Sequence, residues 1–325
     1  MAGPEPLQQL KDGVSPSTGK GKAPKVSAER TNRPAALLFL GPAAVLLIVF
    51  LVYPTIYTIA LAFNRGRQGA FTNWVGFDNF KTLFTQDPNF IDLSHFPPSG
   101  AIWNNVLWMI FYTGFVIALG LVVATLASRV RYESIIKAIV FLPMAIAATA
   151  LAVIWKFVFA PDANTGLLNA VLGIAQIGPI SWLGDPGFVN AALITVGVWG
   201  SVGFATVILS AALKGIPAEI LEAARTEGAS ERQIFFRIIL PMVSLPMSVL
   251  AVTLLVNVIK LFDLIYILTN GGPGTSSRVI AFTFYQEGFN AGLFGKSAAV
   301  AVVMLIILIP VMIFNIRRFR QAAVV

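Results

Sequence analysis

Long apolar blocks alternate with shorter polar ones along this chain. Six blocks are long enough to cross a membrane as helices: about 35–63, 102–128, 135–159, 190–213, 243–268 and 296–316. A helix rising 1.5 Å per residue needs ~20 residues to cross a ~30 Å hydrocarbon core. The third and fifth blocks are the least clean. Pro143 interrupts the third near its start, and Lys260 and Asp263 interrupt the fifth near its end. The pattern predicts an all-α membrane protein with about six transmembrane helices. Composition agrees, at 57% hydrophobic and 12% charged, where soluble domains carry about 25% charged residues.

The lysines and arginines orient the spans. Lys11, Lys20, Lys22, Lys25, Arg30 and Arg33 precede span 1. Arg129, Arg131 and Lys137 surround the 2–3 connection. Lys214, Arg225, Arg232 and Arg237 lie in the 4–5 connection, and Arg317, Arg318 and Arg320 follow span 6. The other side holds only Arg65, Arg67, Lys81, Arg278 and Lys296. Cytoplasmic loops are the Lys/Arg-rich ones, so the termini and the 4–5 connection are predicted to be cytoplasmic. The net charge of +8 is then a topology signal, and no nucleic-acid partner is needed to explain it. Residues 1–34 are rich in Pro, Gly, Ser and Lys and predict a disordered cytoplasmic tail. Residues 321–325 form a short C-terminal tail. Ala60-Leu61-Ala62 resembles a signal-peptidase site. The apolar run before it is roughly twice the length of a signal h-region, so an uncleaved first span is expected.

The 4–5 connection, residues 214–242, is polar between two apolar neighbours. Pro217 suits a helix start. Residues 218–227 are good helix formers, and Gly228 stands where a left-handed residue ends a helix. Ser230 followed by Gln233 is a capping-box pattern. The expectation is two short helices at an angle, joined by Gly228-Ala229. Neither is long enough to be stable alone. Ile220, Leu221, Ile234, Phe235 and Phe236 must therefore pack on the protein's own spans or on a partner, and the residues alone leave both open.

The spacing Glu222-Ala223-Ala224, three residues, Gly228, nine residues, Ile238-x-Leu240-Pro241 resembles the EAA motif of the permease subunits of bacterial ABC importers. "WVGFDNFKTLFTQDPNF" (Trp74 to Phe90), "FLPMAIAATALAVIWKFVF" (Phe141 to Phe159) and "LFDLIYILTNGGPGTSS" (Leu261 to Ser277) are similar to segments of the carbohydrate-uptake type. The resemblance covers about residues 35–320. It implies a multi-pass subunit of a bacterial inner membrane, embedded in lipid. Its partners would be a second permease, two ATP-binding subunits and an extracellular solute-binding protein. Glu222, Ala223, Ala224, Gly228, Ile238, Leu240 and Pro241 would form the cytoplasmic coupling-helix loop that docks on the ATPase. ATP and Mg would bind in the partner subunits, with no cofactor on this chain and no enzymatic activity of its own. The solute would be a sugar or oligosaccharide, with glycerol phosphate, a glycerophosphodiester or a polyamine as alternatives.

Other chemistry is sparse. There are no cysteines, and His95 is the only histidine, so no cysteine metal site and no histidine cluster can form. "GLFGKS" (Gly292 to Ser297) invites a phosphate-loop reading, but Asn290 stands where such a loop needs glycine. Lys260 and Asp263, three apart, would share one helical face. They read either as a structural pair or as a polar rim on the solute path, with Asn257 extending it. Further pathway candidates are Trp199, Ser201, Thr206 and Ser210 in span 4 and Thr253 in span 5. Gly197, Gly200 and Gly203 predict close packing or a deformable span 4. A self-sufficient secondary transporter would need buried coupling acids, and only Asp263 qualifies.

Overall fold

The computed structural model describes residues 33–66, 69–94 and 96–322. Arg67, His95, the C-terminal three residues and all but the end of the predicted tail lie outside them. Backbone contacts divide the chain into two compact units, Met1–Pro54 and Thr55–Val325.

Span 1 is helical over 33–62, with a π-helical turn at Ile48–Val52. Span 2 is Ala101–Ala127, span 4 Val189–Lys214, and span 6 a helix over Phe294–Ala322. These four match the predicted boundaries to within a few residues at their starts. Each is long and apolar enough to cross a membrane.

Spans 3 and 5 depart from single straight helices. Span 3 is a bent pair, Glu133–Ala145 and Ala148–Val158, turning by 99°. Pro143 sits in a 3₁₀ turn, Leu142–Ala145, and Ile146 is extended at ψ 130°. Proline lacks the N–H that would continue the helical ladder, so the chain turns and restarts at Ala148. Span 5 proper is Ser244–Ile259. It ends at Lys260, and a separate short helix, Asp263–Leu268, follows. The predicted single span 243–268 is corrected accordingly.

The 3–4 and 5–6 connections contain helices that the pattern did not predict. Leu167–Ile174 lies between spans 3 and 4, and residues 280–290 form a helix before span 6. Asn169 staples the first connection. Its amide nitrogen donates to the carbonyls of Ala160 and Ile180, and its oxygen accepts from Ile180 N, each at 2.9 Å.

In lipid, hydrocarbon tails are as apolar as leucine, so spans associate through close packing and hydrogen bonds. Spans 2 and 4 do this through small residues. A Cβ on Gly120 would stand 2.6 Å from Ala205 Cβ, and one on Gly203 2.4 Å from the Val140 carbonyl oxygen of span 3. The main core gathers Trp108, Val116, Leu193, Val196, Leu209, Leu254 and Phe282. A second core joins Leu61, Leu83, Phe90, Ile280 and Val300, from the end of span 1, the 1–2 connection, the helix 280–290 and span 6.

Candidate functional site

Two regions carry the residues singled out by sequence. The first is the 4–5 connection. Its first helix, Ala218–Thr226, starts after Pro217. It ends at Gly228, where φ is +85° and Ala229 N bonds back to the Ala224 carbonyl at 3.0 Å. Glycine enters this left-handed region without the Cβ penalty. Ser230 then caps the second helix: its Oγ accepts from Gln233 N at 3.3 Å, while Ser230 N donates to Gln233 Oε1 at 2.8 Å. The second helix, Glu231–Met242, turns by 63° into span 5 at Val243. Two short helices at an angle are what the sequence predicts.

Glu231 links this turn to the rest of the molecule. It accepts from Arg225 at 2.8 Å and from Arg129 of the 2–3 connection at 3.4 Å. The Arg225 guanidinium holds the Glu231 carboxyl below the usual carboxylate range. Such exposed pairs add ~0–1 kcal/mol each, so they orient the segment more than they stabilise it. Glu133 is bonded by Lys137, and by Lys214 at the end of span 4 at 2.9 Å.

Packing satisfies only part of the segment's apolar surface. Ile234 is fully buried. Ala224, Ile238 and Leu240 are half-buried, and Glu222, Ala223, Gly228 and Pro241 are exposed. No residue of the first helix is buried. Ile220 and Phe236 remain 41% and 55% exposed. Ile234 is thus covered within the protein itself, while Ile220 and Phe236 stay uncovered.

The second region is a cavity of about 220 Å³ among spans 2, 3, 4 and 5. Ser201 and Asn257 line it together with Trp108, Tyr112 and Met144. Tyr112 Oη and Ser201 Oγ share a hydrogen bond of 2.8 Å. The Trp108 and Tyr112 rings lie 5.6 Å apart, tilted by 46°. Gly197 makes room for both, since a Cβ there would stand 2.8 Å from the Trp108 ring. Trp108 is 1% exposed, and its Nε1–H has no protein acceptor. A buried unpaired donor costs about 1–3 kcal/mol, and this nitrogen is sealed from the cavity space. None of the lining side chains is charged.

The remaining pathway candidates lie elsewhere. Trp199 faces a separate apolar groove of about 620 Å³ with Phe111 and Phe115, and packs edge-on against Trp155. Thr206 is fully buried and donates to the Val202 carbonyl of its own helix. Thr253 donates to the Val249 carbonyl at 3.0 Å, and Ser210 reaches Glu133 at 3.4 Å. Lys260 and Asp263 do not share a helical face, because the helix breaks between them. Both are exposed and outside the cavity lining. Lys296 of "GLFGKS" bonds Asp87 at 2.7 Å and Glu287 at 3.0 Å, and a π-helical turn, not a strand, precedes it.

Trp108 and Tyr112 escape sequence reading because aromatics in an apolar span read as core. Asn104 and Asn105 carried a signal in hindsight: two adjacent amides at the start of an apolar run. Asn105, 1% exposed, donates to the Val258 carbonyl at 3.1 Å and accepts from Ile280 N at 2.8 Å. Asn104 joins Arg278 and Asn190.

The helical arrangement has counterparts among known proteins. Residues 116–318, more than half the chain, match the family described as "Binding-protein-dependent transport system inner membrane component". The chain belongs to that family. As one of its members, it is a membrane-spanning transport component. It is 41% identical over 287 residues to the osmoprotective compounds uptake permease protein GgtC of Synechocystis sp., covering 87% of this chain and 98% of that one. It is 37% identical over 312 residues to the alpha-glucoside transport system permease protein AglF of Rhizobium meliloti, covering 94% and 89%. Among solved structures, a bacterial ABC transporter that imports the acidic polysaccharide alginate matches with a TM-score of 0.74 at 24% identity, over 89% of this chain and 96% of that one. That likeness concerns the fold of a permease subunit.

Proposed function

We propose that this permease carries a small neutral polyhydroxyl solute of the sugar or glycoside class, in an importer driven by ATP hydrolysis in partner subunits. The observation that carries the reading is the uncharged cavity with its Tyr112–Ser201 hydroxyl pair and Asn257 amide. The apolar wall receives the less polar face of a sugar ring, and the polar groups answer hydroxyls. A phosphate or polyamine solute would want an opposite charge in the wall. The relatives named for alpha-glucosides and osmoprotective compounds point the same way.

In this reading a second permease completes the pathway, and a solute-binding protein delivers the solute from outside. The 4–5 connection faces the cytoplasm, as the charge bias implies, and docks on one of two ATP-binding subunits through Glu222, Ala223, Ala224 and Gly228. The apolar remainder, Ile220 and Phe236, belongs to that interface. Closure of the ATPase pair moves the two helices and, through Lys214 and Val243, spans 4 and 5. Alternating access at the cavity follows, and hydrolysis resets it.

The test is uptake into liposomes holding the complete complex, with internal ATP. A neutral glycoside should accumulate, and glycerol phosphate and spermidine should not. ATP-dependent accumulation of either charged solute, with none of the glycoside, would overturn the solute assignment.

A further inference from the structure

Near the C-terminal end of span 6, on the side assigned to the cytoplasm, one face of the helix is left open. Ala251, Val252 and Leu255 of span 5 and Pro310, Val311 and Phe314 of span 6 line an apolar groove of about 470 Å³ between the two spans. Ser248 also reaches it, but its hydroxyl already donates to the Leu245 carbonyl of its own helix at 2.7 Å. Phe314 is 53% exposed, so the groove opens outward.

The same face of span 6 carries charge beyond the groove. Pro310, Val311, Phe314, Arg317 and Arg318 recur at helical spacing and so form one stripe. The Arg318 guanidinium lies over the Phe314 ring, 5.9 Å from its centroid. Within about a turn of Phe314, the apolar floor therefore ends on two arginines. Neither has a carboxylate in salt-bridge range among the described residues. After Glu231 the acids of the chain are Asp263, past the outer end of span 5, and Glu287, bonded to Lys296 at the outer start of span 6.

In a bilayer such a groove is filled by a lipid tail or by another helix. The charges decide between them. A further span would bring its own cytoplasmic end, where cations are the rule, against two unpaired arginines. A phospholipid brings an apolar chain and, at its head, a phosphate that matches the forked donors of a guanidinium. No acid stands by to pair the ammonium of a zwitterionic headgroup, so a net negative one fits best. Basic pockets between spans on the cytoplasmic side hold anionic headgroups in this way. The topology rule asks for cytoplasmic cations, but it does not ask that they extend the face of an open groove.

We propose that this groove is a binding site for an anionic phospholipid of the cytoplasmic leaflet, with one acyl chain between spans 5 and 6 and its phosphate on Arg317 and Arg318. The proposal rests on the cytoplasmic orientation of the C-terminus and is independent of the solute. Span 5 starts at Ser244, directly after the 63° turn out of the 4–5 connection. A lipid seated in the groove braces that end of span 5.

The test weighs the purified full chain, with the subunits that co-purify, by native mass spectrometry. The lipids offered are phosphatidylglycerol and phosphatidylcholine with identical acyl chains. Wild type should retain phosphatidylglycerol in preference, and the preference should fall about tenfold in the Arg317→Gln, Arg318→Gln double variant. Ala251→Phe, which fills the groove from span 5 and keeps both arginines, should lose retention as well. Arg131→Gln removes an exposed cation of the 2–3 connection, outside the groove lining, and should leave the preference as it is. No preference in wild type, or an unchanged preference in the double variant, overturns the proposal. An equal fall in Arg131→Gln would reduce the effect to general surface charge and overturn it too. Release of a co-purifying permease by Ala251→Phe, with lipid retention unaltered, would assign the groove to a subunit interface instead.

Discussion

Gly203 of span 4 lies against Val140 of span 3, so close that any side chain at position 203 would stand 2.4 Å from the Val140 carbonyl oxygen. The contact falls just before the Pro143 turn. Span 4 thus supports the point where span 3 leaves its helical path. Gly203→Val should cost ~1–3 kcal/mol, the usual range for overpacking. The measure is a drop of several degrees in Tm in detergent, with Gly200→Val, which meets only Leu151 at 3.2 Å, dropping less. Equal behaviour of the two variants would sink the account.

Gly228 offers a different kind of test. No atom lies within 4 Å of a Cβ built there, so substitution meets no clash, only the φ of +85°. Gly228→Val should leave the spans intact and distort the turn between the two helices, at a backbone cost of order 1–3 kcal/mol. If the segment docks on an ATPase, the variant complex should hydrolyse more ATP per solute moved, or lose assembly. Normal coupling in liposomes would count against docking at this turn.

Asn105 bonds two backbone groups that helix ends leave short: the Val258 carbonyl near the end of span 5, and Ile280 N at the start of the helix 280–290. Buried groups stripped of a partner cost about 1–3 kcal/mol each. Asn105→Leu is therefore expected to lower stability by ~2–6 kcal/mol, the largest loss among these variants. Thermal scans in detergent would show it. A shift below one degree would mean that other groups replace the amide.

Trp108→Phe keeps an aromatic ring in the wall but removes the smaller ring of the indole along with its unpartnered N–H, leaving a void in a fully buried site. Stability should fall by about 1–2 kcal/mol, because the void left by the lost ring atoms outweighs relief of the unpaired donor. Solute affinity should change by less than about tenfold, ~1.4 kcal/mol, since the indole nitrogen is sealed from the cavity. Ser201→Ala, which breaks the 2.8 Å bond to Tyr112, should weaken uptake and also reduce stability. A much larger loss of affinity in Trp108→Phe than in Ser201→Ala would overturn that account.

Much of the architecture was legible in the chain. Spans 1, 2, 4 and 6 follow from apolar length. The 4–5 connection follows from local chemistry: Pro217, Gly228 and the Ser230–Gln233 pair each specify backbone geometry within a few residues. Pro143 marked the disturbance in span 3 without giving its 99° turn, because that angle depends on how Gly203 receives the neighbouring strand of backbone. Lys260 and Asp263 misled, since a spacing of three means a shared face only if the helix continues.

The sequence by itself determined which segments enter lipid and where the chain turns, because burial of backbone polar groups and allowed φ/ψ are local constraints. Only the tertiary structure decided which faces meet. Ser201 and Thr206 look alike in sequence, yet one borders a cavity with Tyr112 and Asn257 and the other is sealed between spans 2 and 4. In an apolar helix every face is greasy, so periodicity cannot choose among them. The choice falls to small residues and buried amides, Gly120, Gly203 and Asn105, whose partners lie far away along the chain.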